Sequence, residues 1–250
     1  MSKIQVLHMQ KRVKIPGGLN RHITRCHLVD GKPEVWIPDH ANPELTKNNV
    51  ELVSREITNS EGEKRTLSLQ QAVDKRIKDA GIRPRRGQSR CLDVIFSGSN
   101  EVMCGMTREE ILNWSKDTLV WAQNVWGKEN VVSAFLHLDE TTPHIHMIVV
   151  PIVRGESRRS IRQKELDEER GIKRKSYKIN HNKLRLSCND VFTAPLLYTY
   201  HDRYAEEVSK KYGLERGIKV ESGSEKKHQS TKDYIRQLVA QAVEQATVKK

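Results

Sequence analysis

The stretch that most restricts this chain is a pair of apolar, β-branched runs, residues 131–136 and 147–152, with His137-Leu138-Asp139-Glu140-Thr141-Thr142-Pro143-His144-Ile145-His146 between them. Each run has the composition and length of a strand, and a six-residue connection separates His137 from His144. The pattern predicts an antiparallel hairpin. Residues two apart on a strand point to one face, so His144 and His146 present both imidazoles on the same side. Pairing then brings His137 beside them. A half-buried sheet face does not hold three imidazoles without partners, and imidazole is the commonest metal ligand. His137, His144 and His146 are therefore expected to hold a metal ion, with Asp139 and Glu140 at the turn. Strand-like flanks and Pro143 exclude the helical H-E-x-x-H arrangement. Ligand type leaves Zn, Mn, Fe, Co, Ni and Cu open.

Charge says what such a site faces. The 250 residues carry a formal net charge of +12, a pI near 9.6 and a mean hydropathy of −0.69. That length suits one large domain, or one domain with an appendage. So basic a balance favours a polyanion, nucleic acid before anionic membrane. Cys26, Cys91, Cys104 and Cys188 are scattered without a C-x-x-C pair, so neither a disulfide framework nor a zinc ribbon is indicated. With no apolar leader and no run long enough to cross a bilayer, a reducing bacterial cytoplasm is the expected location.

Along the chain, residues 3–9 read as a first strand, and Pro16-Gly17-Gly18 breaks it. A short helix is expected over 19–28, placing His22 and Arg25 on one face. Residues 30–65 are polar and turn-rich and read as a long loop. Ser68 caps a helix to Ala80, and Ile82 to Arg90 is a basic loop carrying Arg83, Arg85 and Arg86. A strand over 91–96 and a long helix from Thr107 to about Trp126 lead into the hairpin. Beyond Pro151, residues 154–180 are densely basic and read as a mobile lobe ordered by a ligand. Helical patterning resumes from Asn182 to Tyr212, and a last helix is expected over 231–248. The order argues an α+β layer fold around an antiparallel sheet. Residues 1–215 would form the main domain and 216–250 a helical extension, the beginning of a region cut from a longer protein.

The sequence also resembles the plasmid mobilisation relaxases of the MobV (Mob/Pre) type within the HUH endonuclease superfamily. Met9-Gln10-Lys11, Gly17-Gly18 and His22 with Arg25 look like that family's first motif. Asn42-Pro43 with Asn48 and Glu51-Leu52 looks like its second, and residues 137–146 look like its third. Leu214-Glu215-Arg216-Gly217 with His228 and Tyr234 resembles a pattern downstream. One departure stands out: where the first motif commonly reads H-N-x-R, this chain has Ile23.

The resemblance implies a sheet of about five antiparallel strands flanked by helices, with the three-histidine site upon it. It implies nicking of one DNA strand at an origin of transfer with Mn²⁺ or Mg²⁺, and a histidine nucleophile, here His22. On that reading His22, Arg25 and Glu140 are catalytic; Glu140 is also a fourth candidate metal ligand, with Asp139 orienting from behind. Arg21, Asn42, Arg83, Arg85, Arg86, Arg154, Arg158, Arg159, Lys173, Arg174 and Lys175 are expected against single-stranded and hairpin or duplex origin DNA. Conjugative coupling machinery, and a homodimer formed through a region beyond residue 250, are compatible partners. Two alternatives stay open: a replication initiator or transposase using Tyr177, Tyr198, Tyr200 or Tyr204 as nucleophile, and a non-catalytic DNA-binding regulator with a structural metal.

Overall fold

The structure is a computed structural model that describes residues 3–29, 32–155, 158–172 and 181–217, without the side chains of 28, 29, 32 and 158–161. Strand β1 (Gln5–Arg12) is followed by helix α1 (Gly17–Thr24) and a ribbon of β2 (Cys26–Val29) and β3 (Lys32–Val35). Next come β4 (Val50–Val53), the small hairpin β5 (Glu56–Thr58) and β6 (Lys64–Thr66), and helix α2 (Leu69–Asp79). Strand β7 (Cys91–Gly98), helices α3 (Asn100–Gly105) and α4 (Arg108–Trp126), and strands β8 (Val131–His137) and β9 (His144–Val149) complete the centre. The chain continues through β10 (Ile152–Arg154), α5 (Arg158–Glu169), β11 (Leu184–Leu186), α6 (Cys188–Val191) and α7 (Ala194–Glu207).

Five strands form the central sheet in the order β1-β7-β9-β8-β4, every neighbouring pair antiparallel. Local sequence explains most of these elements. Ser68 and Gln71 form a capping box at the start of α2, and Thr107 and Glu110 form another at α4. Ile111, Trp114, Thr118, Trp121 and Ala122 recur at helical spacing and are buried. Ile145, Met147 and Val149 of β9 pack with α4 and α7 on one face of the sheet. Phe135 and Ile148 pack with Ile23 of α1 and with Leu69, Val73 and Ile77 of α2 on the other. By alternation, His137, His144 and His146 belong to this second face, beneath α1.

Four expectations need correction. The segment 30–65 is not one long loop: Val50 pairs with Leu136, and β4 closes the sheet as its edge strand. Its four residues, Val50-Glu51-Leu52-Val53, are too few to show a period inside a polar, turn-rich segment, and the strand's stability comes from the ladder it joins. The first helix runs from Gly17 to Thr24 rather than over 19–28, because Arg25 adopts a left-handed conformation (φ 51°) and turns the chain into β2. In the basic stretch after Pro151, β10 and α5 are regular structure. Residues 184–186, expected as helix, form β11 against β10. Leu214 of the downstream motif is buried in the first core, and Glu215 joins the end of β1 through Gln5 N–H to its carbonyl (2.7 Å). Lys173, Arg174, Lys175, Tyr177 and the helix expected over 231–248 lie outside the described residues. Among the described residues, no helix is long and apolar enough to cross a membrane.

Candidate metal centre and nucleic-acid site

Strand register assembles the site. His137 pairs directly with His144 across β8 and β9, and His146 faces Phe135 one step further in. The imidazole centroids of these histidines lie 5.0–5.1 Å apart. Helix α1 then brings His22 over them, its Nε2 3.1 Å from His146 Nε2. His22, His137, His144 and His146 each offer a ring nitrogen within 4.8 Å of the others.

Backbone carbonyls set two of the tautomers. Because a carbonyl only accepts, His137 Nε2–H donates to Ile23 O (2.9 Å) and His144 Nδ1–H donates to Thr142 O (2.9 Å). The lone pairs of His137 Nδ1 and His144 Nε2 are thereby left free, 3.8 and 3.9 Å from Glu140 Oε1. His137 Nδ1 and His146 Nδ1 are buried without a hydrogen-bond partner. A second bond that fixes the ring is the usual support of a metal-ligating histidine. Burial pushes the His137 imidazole down to about 3 and holds that of His146 well below its ordinary value. Both are neutral donors at neutral pH. Three imidazoles and a carboxylate fit a divalent transition metal.

The departure at position 23 now has a physical account. The Ile23 side chain is fully buried in the core beneath α1, while its carbonyl orients His137. The polar service at that position comes from the backbone.

Arg25 clasps the turn. Its Nε and Nη2 meet Asp139 Oδ2 and Oδ1 at 2.9 and 2.8 Å, and Nη2 also meets Glu140 Oε1 at 2.6 Å. Arg25 Nη1 further donates to His22 O. Burial opposes ionisation of Asp139, yet the Arg25 hydrogen bonds outweigh it and hold the carboxyl well below the carboxylate range. The same contest, with Arg25 and the neighbouring imidazoles against burial, lowers Glu140. Asp139 is thus committed to Arg25, whereas Glu140 keeps oxygens facing His22 (3.7 Å) and His40 (3.4 Å). Burial also lowers His22, with Glu140 pulling the other way.

The 138–143 turn is pinned from outside the hairpin. Leu138 N–H donates to Asn49 Oδ1 and Asn42 N–H donates to Asp139 O, both at 2.7 Å. Thr46 Oγ1 donates to Asp139 Oδ2 (3.1 Å), and Ser97 Oγ donates to Pro143 O (2.9 Å). The segment that carries the second motif therefore braces the 138–143 turn through Thr46, Asn49 and the Asn42 backbone, and the Asn42 carboxamide oxygen accepts from Glu44 N–H within its own loop. Thr46, Asn49 and His40 escaped the sequence reading because only the long-range fold brings them here.

The other expected DNA contacts are dispersed. Arg21 is exposed on α1 beside His22. Arg83, Arg85 and Arg86 are exposed in the loop before Cys91. His146 pairs with Ile95 of β7, so that loop sits at the end of the strand away from the histidines. Arg154 ends β10, and Arg158 and Arg159 begin α5. Tyr200 and Tyr204 are buried in the core on the face opposite the histidines, and Tyr198 is exposed on the same α7 helix.

A five-stranded antiparallel sheet with the histidines of its central hairpin gathered under a short N-terminal helix defines the fold class of relaxase domains. The MobM relaxase domain, solved with manganese and bound to plasmid pMV158 oriT DNA, shares this fold at a TM-score of 0.64, with 21% identity over 93% of this chain and 98% of that one. A second MobM structure, bound to a thiophosphate-bearing oriT DNA, matches at a TM-score of 0.65. The family model described as plasmid recombination enzyme (Mob_Pre) matches residues 1–236, and the chain belongs to this family. Relatives include a plasmid recombination enzyme of Bacillus thuringiensis, 25% identical over 92% of this chain. Another is the type 1 plasmid recombination enzyme of Staphylococcus aureus, 28% identical over 83% of it. The chain spans 42% and 43% of the length of those two proteins.

Proposed function

We propose that this chain is the catalytic domain of a site- and strand-specific DNA relaxase, which nicks single-stranded DNA at an origin of transfer by transesterification and later rejoins it. The observation that carries the reading is the approach of His22, from α1, to within 3.1 Å of a metal-competent histidine on the central hairpin. Energy of the cut bond is conserved if His22 attacks the phosphorus. A P–N bond forms at His22 Nε2, the P–O3′ bond breaks, the proton given up by that nitrogen passes to the departing 3′-oxygen, and the 5′-phosphate stays on the imidazole as a phosphoramidate. Rejoining is the reverse. Histidine is a competent covalent nucleophile when neutral, and burial favours that form here.

Arg25 Nη1 can only donate and lies 3.4 Å from His22 Nδ1, so the resting ring carries its proton on Nε2. Attack by this cluster-facing nitrogen requires that proton to be given up. The His22–His146 contact must therefore open as the phosphate enters between them. Arg25, held by Asp139 and Glu140, fixes the carbonyl end of His22 and sets the angle at which its ring meets the cluster. A divalent cation held by His137, His144, His146 and Glu140 would supply Lewis-acid polarisation of the non-bridging oxygens. The imidazole-rich donor set favours Mn²⁺ over Mg²⁺. Exposed arginines and lysines neutralise backbone phosphates, so affinity falls steeply with salt.

The test is incubation of the protein with a labelled single strand carrying the origin, plus Mn²⁺, with mass spectrometry of the adduct. Attachment at His22, loss with His22→Ala and persistence with Tyr198→Phe are expected. An adduct on a tyrosine would overturn the nucleophile. Site-specific binding with no nicking in any divalent metal would overturn the enzymatic reading.

A further inference from the structure

One aromatic residue stands apart from the rest. Of four tryptophans, Trp114, Trp121 and Trp126 are buried in the core on the sheet face opposite the histidines. Trp36 is only half-buried, just past the end of β3. Its backbone N–H donates to Arg25 O (2.9 Å), which places it directly beside the arginine that clasps the metal turn. Val35 and Ile37 line a cavity of about 590 Å³ under the ribbon. Trp36 does not line that cavity, and its ring meets α1 instead. There the Arg21 guanidinium lies over the indole, 5.8 Å from the ring centroid.

We propose that Trp36, backed by Arg21, is a stacking platform for an unpaired base of the DNA strand next to the phosphate at the histidine cluster. The inference rests on the relaxase reading and adds the residue that positions the strand. A bulky indole left partly in water forfeits part of its hydrophobic gain, and a structural role would bury it like the other three. Trp36 is tied by its backbone to Arg25, whose guanidinium holds the carbonyl of His22, and Arg21 precedes His22 on α1, so a strand whose phosphate meets His22 passes beside the Arg21–Trp36 pair. An aromatic face with an adjacent guanidinium is the chemistry that holds single-stranded nucleic acid without regard to sequence. Trp36 is a positioning residue: it touches the strand, not the reacting atoms.

Stacking makes Trp36 its own reporter. Titrating a labelled, unpaired oligonucleotide into the full chain, with anisotropy and tryptophan emission read together, should show quenching that follows binding. Trp36→Leu keeps apolar bulk without a π-face and should weaken binding roughly 5- to 150-fold, the range expected for one stacked base. Trp36→Phe should restore most of that loss. The slope of affinity against salt should stay unchanged in both variants, because no phosphate contact is removed. In the nicking assay Trp36→Leu should slow adduct formation at limiting DNA and match the parent at saturation. Binding without quenching, or parent-like affinity in Trp36→Leu, overturns the platform while leaving the relaxase reading intact. Failure of the parent to bind single strands overturns both.

Discussion

Removing the Asp139 carboxylate tests whether Arg25 is the clasp of the site. The two side chains are 6% and 0% exposed, and they meet through two hydrogen bonds of 2.8 and 2.9 Å. Asp139→Ala leaves the guanidinium buried with one carboxylate, Glu140 at 2.6 Å, instead of two. Breaking a buried pair from one side costs about 3–5 kcal/mol, and the surviving Glu140 contact sets the expectation at the low end, about 3 kcal/mol. Arg25 also sits in the left-handed region at φ 51°, a conformation unfavourable for a side chain of this size and held by the same pair. For a domain of this size each kcal/mol moves the melting temperature by about 2–4 °C, so a fall of about 6–12 °C is expected. Thermal unfolding by circular dichroism in chelator isolates this from metal binding. Asp139→Asn keeps shape and one acceptor and should fall between parent and alanine. The Asp139 carboxyl is held low, so its stabilisation is present above the unfolded value, about 3.9, and is lost only as pH falls toward the folded one. The difference between parent and Asp139→Ala should thus be flat from pH 5 upward. A melting temperature for Asp139→Ala within about 2 °C of the parent at pH 7 would refute the clasp.

Three other outcomes follow from the geometry. The His137 imidazole titrates near 3 in the fold, so the unfolded chain takes up its proton first as pH falls below about 6.5. Metal-free stability should decline by about 2 kcal/mol from this group between pH 6.5 and 5, read by urea unfolding; a rise on acidification would contradict its burial as a neutral ring. Gly98→Ala would place a Cβ 2.5 Å from Leu214 Cδ2, so it should destabilise by about 1–3 kcal/mol. That loss should be non-additive with Leu214→Ala in a double-mutant cycle, and additive losses would show that the two do not touch. Tyr204→Phe removes the hydroxyl that bonds Trp114 Nε1 (3.1 Å) and Thr118 Oγ1 (2.8 Å) in the core. It should cost about 1–2 kcal/mol while leaving the DNA adduct intact; loss of the adduct in a folded Tyr204→Phe protein would revive the tyrosine mechanism.

Read by itself, the sequence determined what depends on neighbours along the chain. The helix caps at Ser68 and Thr107, the apolar stripe of α4 and the paired runs of the histidine hairpin were all legible. The caps bond within three residues, and the stripe and the runs write their burial as a period of 3.6 or 2 in consecutive residues. The face shared by His144 and His146 follows from the same local rule. Tertiary structure alone decided the rest. Strand β4 exists because β8 offers it an edge. The Ile23 carbonyl is a site component because α1 folds over His137, and Asp139 belongs to Arg25 across 114 residues of sequence. Trp36 stands out only once the other tryptophans are seen to be buried. Contacts of that span leave no periodicity to read: they are set by which faces the sheet leaves uncovered and by the buried charges and carbonyls that must then find partners.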